Sequence, residues 1–324
     1  MTDTTPGTDT TPGPTSKTLA RSPEIERFLD QVAGVGNAAG NPRVKQIVRR
    51  LVGDLFRTID DLDIQADEFW AAVAYVGQLG SAREQALLAP GLGFDHYLDL
   101  RMDLIERELG LAGGTPRTIE GPLYVAGAPL TRGEARLDDG SEEGTTLFMS
   151  GRVLTMDGRP IPGAIVDVWH ADTMGNYSFF DPTQSDYNLR RRIETDAEGR
   201  YRFRSIMPSG YGCPPVGPTQ RLLALLGRHG RRPAHIHFFV SAPGHRQLTT
   251  QINIAGDPLV HDDFAFATRD ELIPEVVHHD DPAEIQRAGA AGPFAEIHFD
   301  FVLHDVGPDL PPDVVHRERA GANA

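Results

Sequence analysis

Along the first third of the chain, apolar residues recur at the spacing of helix faces. Ser22-Pro23 supplies an N-cap followed by proline in the first turn, and Ile25, Phe28, Leu29 and Val32 then fall at i, i+3, i+4 and i+7. Asn41-Pro42 opens a second helix in the same way, with Val44, Ile47, Val48, Leu51 and Leu55 along one stripe. An Ala-rich stretch over 65–79 with Phe69, Trp70, Val73 and Val76 predicts a third. Ser81 with Glu84 reads as a capping box for a short fourth, and a fifth covers 95–110, closing at Gly110. Residues 22–114 are thus expected to be amphipathic helices whose role is packing or dimerisation.

After the breaker cluster Gly113-Gly114-Thr115-Pro116 the period changes to two. Leu147, Met149, Gly151, Val153 and Thr155 alternate with other residues, and Asp157-Gly158 makes a tight turn. Ile165 to Trp169 is a β-branched run, and Tyr201-Arg-Phe-Arg and Ile297-His-Phe-Asp-Phe-Val-Leu alternate again. Short strands separated by Gly/Pro turns point to a β-sandwich or a barrel. The expected fold is mainly β with an α-helical N-terminal region, a β-sandwich over 115–305 following the helices of 22–114. Residues 1–21 are Thr, Pro, Gly, Asp and Ser with almost nothing apolar, too little to offset the entropy of ordering, and are expected to be a disordered tail. Residues 306–324 form a C-terminal tail.

Composition narrows the function. The 324 residues carry 46 acidic and 31 basic side chains, a net charge of −15, which leaves no basic footprint for coating nucleic acid or anionic lipid. One cysteine cannot form an intramolecular disulfide. No window approaches the ~18 apolar residues of a membrane span, and the start lacks the basic-then-apolar pattern of a secretory signal. A soluble, cytoplasmic protein is the expectation.

Three segments could carry chemistry. In Arg232-Pro-Ala-His235-Ile-His237, residues i and i+2 of a strand aim two imidazoles to one face, a compact supply of nitrogen ligands. In Ser209-Gly-Tyr211-Gly-Cys213-Pro-Pro, a tyrosine between glycines sits where the backbone can approach a neighbour closely or move. In Trp169-His-Ala-Asp-Thr-Met-Gly-Asn-Tyr177, a strand ends and a turn presents a second tyrosine. Each segment taken alone is equally a half-exposed strand, a Gly/Pro turn or an apolar edge. The adjacent pair His278-His279 reads as surface.

In order along the chain, Gly121-Pro-Leu-Tyr-Val-Ala-Gly, Val168-Trp-His-Ala-Asp-Thr-Met-Gly-Asn-Tyr177, Met207-Pro-Ser-Gly-Tyr211-Gly-Cys-Pro-Pro, Arg232-Pro-Ala-His235-Ile-His237 and Asp262-Asp-Phe-Ala-Phe-Ala-Thr-Arg-Asp resemble the motifs of the intradiol ring-cleavage dioxygenases. The likeness runs from about residue 25 to about residue 304 and is greatest to the branch that takes catechol itself. The resemblance implies a β-sandwich catalytic domain holding one non-haem Fe(III) per subunit. It further implies a homodimer formed through the helical region, with room for a bound lipid at the interface. By the same resemblance Tyr177, Tyr211, His235 and His237 are the iron ligands, a set that fits chemistry as well. A free phenol ionises only near pH ~10, so two phenolates at neutral pH call for a strong Lewis acid, and hard anionic oxygen with imidazole suits Fe(III) better than Zn(II).

Arg232 and Gln251 match residues beside the substrate and the metal, and the resemblance implies that Tyr211 doubles as a transient proton acceptor. Leu87, Pro90, Ile119, Pro122, Leu123, Phe264 and Ala265 match positions lining the substrate pocket. The implied reaction splits catechol with O2 to cis,cis-muconate in aromatic catabolism. A hydroxyquinol- or chlorocatechol-cleaving enzyme is the alternative within the family, and a non-catalytic β-sandwich binding protein the alternative outside it. The small apolar pocket set favours catechol, because it offers nothing to pair a third ring hydroxyl, at a cost of ~1–3 kcal/mol. Cys213 lies two residues from Tyr211, where exposure decides its reactivity.

Overall fold

Both proline-led helix starts are capped as their residue types dictate. In α1 (Pro23–Val32) Ser22 Oγ accepts from the Ile25 N–H at 3.3 Å. In α2 (Pro42–Leu62) Asn41 Oδ1 accepts from the amides of Arg43 and Val44 at 2.9 and 3.2 Å. A third helix, α3, spans Ala66–Ala82. The computed structural model describes residues 16–141, 143–307, 310–314 and 319. The tail expected over 1–21 lies outside the described residues as far as 15. Ser16–Arg21 is instead an ordered 3-10 helix, tied down by the Ala20 N–H donating to Asp60 at 2.6 Å and by a two-pronged Arg21–Asp61 pair. The C-terminal tail expected over 306–324 falls largely outside the described residues.

Contacts divide the chain into two compact units, Met1–Gln78 and Leu79–Ala324. In the first, Leu29 is buried, Phe28 stacks on Phe56 at 6.2 Å, and Arg49 joins α2 to Asp30 and Glu26 of α1 at 2.6 and 2.9 Å. Val44, Ile47, Leu51 and Leu55 on α2, with Phe69, Trp70, Val73 and Val76 on α3, stay exposed in the single chain.

The second unit opens with α4 (Gln85–Gly91) and α5 (Phe94–Glu108). The capping box expected from Ser81 and Glu84 does not form. Helix α3 continues through Ser81, and Glu84 precedes α4 without a side-chain cap. The Glu84 carboxylate reaches across the fold and accepts from the Thr219 N–H at 2.9 Å, so it caps α6 (Pro218–Leu225). Local sequence proposed the right residue for the wrong helix.

The strands are β1 (Leu130–Arg132), β2 (Glu134–Arg136), β3 (Thr146–Thr155), β4 (Ile165–His170), β5 (Arg190–Glu194), β6 (Arg200–Ile206), β7 (Tyr211–Gly212), β8 (Arg231–Arg232), β9 (His235–Ser241), β10 (Leu248–Asn253), β11 (Val276–His279), β12 (Phe294–His298) and β13 (Phe301–Leu303), with α7 (Pro282–Ala288) between β11 and β12. They build two open mixed sheets, ordered β1-β5-β4-β9-β10 and β11-β12-β3-β6-β2, with β13 also on β3 and a separate β7-β8 ladder. Among the described residues both sheets have free edges, so the sandwich reading holds and the barrel alternative does not.

Side-chain alternation then decides where the chemistry lies. Ile236, Phe238 and Val240 of β9 join Val166, Val168, Phe203, Ile252, Ile297 and Phe301 in one core between the sheets. His235 and His237, one residue out of phase, must point to the outer face of the five-stranded sheet. They are buried all the same, as are Trp169, Tyr177 and Phe264 around them. The expected surface pair differs within itself: His278 is exposed, whereas half-buried His279 stacks on Phe294 and pairs with Glu284 at 2.8 Å.

Candidate active site

Strand register places the polar groups. Across β9, His237 faces Gln251 of β10 on one side and Trp169 of β4 on the other. The indole stacks on the His237 ring at 5.0 Å and 7°, fixing its plane. His235 is oriented by its own backbone: its Nδ1 lies 2.6 Å from the Pro233 carbonyl, which as an acceptor requires the proton on Nδ1. Nε2 is left with its lone pair facing inward, the arrangement a metal-binding imidazole needs. Burial, then Arg232, pushes the His235 pKa down to about 3, so it stays neutral.

The two Nε2 atoms stand 3.1 Å apart. Nitrogens about 2.1 Å from one ion and at right angles around it sit about 3 Å apart, so this spacing is that of neighbouring ligands. Tyr211 completes one wall. The sequence reads it as a loop residue, but it lies in β7, paired with Arg232 of β8. The glycine before it serves close approach: a Cβ on Gly210 would lie 2.4 Å from the Arg232 carbonyl oxygen. The Tyr211 ring meets Tyr177 edge-on at 5.5 Å and His235 at 5.4 Å. The Tyr177 hydroxyl is buried and makes no hydrogen bond of ordinary geometry among the described residues, although Tyr211 is near enough to influence it. Burial raises the Tyr177 pKa well above the usual phenol value, which a strong cation at the same spot would reverse.

Arg232 is the hub. Its Nη1 lies 3.0 Å from His235 Nε2 and 3.4 Å from the Tyr211 hydroxyl, and its Nη2 donates to Gln251 Oε1 at 2.7 Å. Sequence reasoning missed its counter-ion, Asp263, which accepts from Arg232 Nε at 3.1 Å and Nη2 at 3.0 Å, with both side chains almost fully buried (2% and 1% exposed). Burial opposes both charges. Each partner nonetheless holds the other ionised, the guanidinium above and the carboxyl below its usual range. Asp263 also accepts from the Ala265 N–H at 3.0 Å, so one carboxylate fixes both the arginine and the adjoining apolar wall. The signal in the sequence was an acid next to Phe264-Ala265 and an arginine without an assigned partner.

The apolar positions surround this cluster. Ile119, Phe264 and Ala265 are buried together with Cys213 and Leu223, and Leu123 packs against the cluster of Trp169, Ala171, Tyr177 and Phe239. Pro122 follows Gly121, whose Cα approaches His237 so closely that a Cβ would meet its ring at 3.4 Å. Pro90 is buried and Leu87 half-buried on α4, and the next residue, Gly91, abuts Phe264. Burial pushes the Cys213 thiol up to about 12, which makes it a poor nucleophile. A separate cavity of about 300 Å³ lies behind this wall, between α5 and the start of β10, and shares Ile119 with it.

Among the described residues no three or more His, Cys, Asp or Glu are placed to hold an ion. The set here is two imidazole nitrogens and two phenols, a donor set for a hard, highly charged metal rather than for zinc. No described helix is long and apolar enough to cross a membrane.

Known proteins resemble the chain over most of its length. The family model described as Dioxygenase matches residues 119–305, and that described as Catechol dioxygenase N terminus matches residues 41–110. The chain is 56% identical over 299 residues to catechol 1,2-dioxygenase of Acinetobacter baylyi, covering 91% of this chain and 96% of that protein. It superposes on the crystal structure of catechol 1,2-dioxygenase from Pseudomonas arvilla C-1 with a TM-score of 0.89 at 57% identity, covering 93% of this chain and 98% of the other. Identity to a hydroxyquinol 1,2-dioxygenase of a Rhizobium strain falls to 32% over 86% of this chain and 95% of that one.

Proposed function

The chain belongs to the intradiol ring-cleavage dioxygenases, and from that premise we propose that it cleaves catechol with O2 between the two hydroxyl-bearing carbons to give cis,cis-muconate. Both oxygen atoms enter the product, so catechol and O2 balance it without a further reductant. The observation that carries this reading is the pair of imidazole Nε2 atoms 3.1 Å apart, in a buried pocket shared with two tyrosines. Tyr177, Tyr211, His235 and His237 would hold one Fe(III) per chain. When bound, the iron supplies the Lewis-acid charge that draws catechol in as an anion and opens its ring to O2.

The protein's own groups do the rest. Tyr211 Oη, 3.4 Å from the Arg232 guanidinium, would as a phenolate take a catechol proton. Arg232, held charged by Asp263 and steered by Gln251, stabilises negative charge as it develops on the ring. Leu87, Pro90, Ile119, Pro122, Leu123, Phe264 and Ala265 enclose the ring and exclude water. That wall offers nothing to pair a third hydroxyl, which favours catechol over hydroxyquinol. The exposed stripe of Val44, Ile47, Leu51 and Leu55 with Trp70 and Val73 supports a homodimer formed through the N-terminal helices, where a lipid has apolar surface to bind.

Steady-state turnover of catechol, 4-methylcatechol, 4-chlorocatechol and hydroxyquinol, side by side, tests the assignment. Catechol is expected to have the highest kcat/KM, and hydroxyquinol as the best substrate would overturn it.

A further inference from the structure

We propose that Arg228 sets the width of the substrate pocket and so selects among ring-substituted catechols. The inference rests on the functional reading above, since it takes α4 and the segment around Phe264 as opposite walls of that pocket.

Arg228 follows α6 after the turn at Gly227, and its amide is anchored to the Leu223 carbonyl at 2.8 Å. From that fixed base its guanidinium spans the two walls. Nη1 donates to the Gly91 carbonyl at 2.7 Å, at the C-terminal end of α4 and next to Pro90. Nη2 donates to the Phe264 carbonyl at 3.0 Å. A cation at a helix C-terminus satisfies a carbonyl that has no partner within the helix and complements the helix dipole. The same guanidinium lies over the Phe266 ring, 4.7 Å from its centroid. Phe266 has a positive φ of 54°, a conformation a bulky residue holds only when its surroundings impose it.

The wall separation is therefore bounded from both sides. It has little room to shrink, because Gly91 packs so near the Phe264 ring that even an added Cβ would stand 3.3 Å from it. It cannot grow while one planar group bridges both carbonyls. The 263–266 segment is pinned at its other end by Asp263, held by Arg232. Two arginines thus hold one wall, Arg232 from the chemistry side and Arg228 from the α4 side. Lysine cannot replace the bridge, because a single ammonium lacks the two-pronged geometry.

The test is steady-state kinetics on catechol and on 4-chlorocatechol in wild type, Arg228→Lys and Arg228→Met. In Arg228→Met the preference for 4-chlorocatechol over catechol, taken as the ratio of their specificity constants, should rise about 10-fold, the low end of what one methylene's worth of pocket space commands. The KM for catechol should rise more than its kcat falls. Arg228→Lys should fall between, and it keeps the test open should the methionine variant fold poorly. Amide hydrogen exchange should quicken at 92–94 and 264–267 while β9 and β10 stay protected. An unchanged substrate ratio, or an equal loss on both substrates, in a wild-type background that cleaves catechol, overturns the role of Arg228 alone. A wild-type chain that cleaves neither diol overturns the functional reading and this inference with it.

Discussion

Replacing Asp263 with asparagine removes the only carboxylate seen to pair with Arg232 among the described residues, and does so in a site where both partners are almost fully buried. Asp263 accepts from Arg232 Nε at 3.1 Å, from Nη2 at 3.0 Å and from the Ala265 amide at 3.0 Å. Breaking one side of a buried pair leaves an uncompensated charge and costs about 3–5 kcal/mol. Asparagine keeps one oxygen for one of these bonds, so the lower end, about 3 kcal/mol, is expected by urea denaturation. Catalysis should suffer separately. An arginine no longer held between Gln251 and Tyr211 loses its aim, and misplacement of about 1 Å costs on the order of 100-fold in rate. The double variant Arg232→Gln/Asp263→Asn removes both charges. It should recover most of the lost stability while remaining catalytically impaired. Wild-type stability in Asp263→Asn, or losses that simply add in the double variant, would refute the reasoning.

Two further outcomes follow from single contacts. His170 is buried with Nδ1 donating to the Ala171 carbonyl and Nε2 accepting from Ser205, both at 2.7 Å, so protonation would turn Ser205 from donor to acceptor and leave a charge buried. Burial lowers its pKa to about 4. Because the folded value is depressed, its stabilising contribution is whole above the unfolded value of about 6.5 and is lost as pH falls through about 4, by about 3 kcal/mol in all. Denaturation between pH 7 and 4 should therefore show a shallower loss in His170→Gln than in wild type, and equal slopes would count against it. Gly210→Ala places a Cβ 2.4 Å from the Arg232 carbonyl oxygen, which must prise β7 from β8. Turnover should fall at least about 10-fold by the positional argument above, and full activity would show that the close approach is not needed.

Much of the fold is legible in the sequence because its signals are local. Ser22-Pro23 and Asn41-Pro42 announce helices whose caps then form, and alternation in β3 and β6 announces strands. The pair His235 and His237 is legible for the same reason, since a period of two fixes the face they share. What escapes depends on segments far apart in sequence. Glu84 caps a helix that begins at residue 218 rather than its own, and Asp263 meets an arginine thirty-one positions away. Nothing in the composition near Arg228 hints that it bridges Gly91 to Phe264. Tyr211 reads as a loop residue because a two-residue ladder leaves no periodic signal, and its glycine neighbour serves contact with Arg232.

The proposed function needs Tyr177, Tyr211, His235 and His237 to hold ferric iron together. The visible absorption spectrum of the purified protein, read together with its metal content, is the decisive measurement. One iron per chain and a reddish colour from phenolate-to-iron charge transfer are expected. The band should change when catechol is added without oxygen and weaken in Tyr177→Phe and Tyr211→Phe alike. A colourless chain that takes up no iron on reconstitution, or a band indifferent to both substitutions, would contradict it.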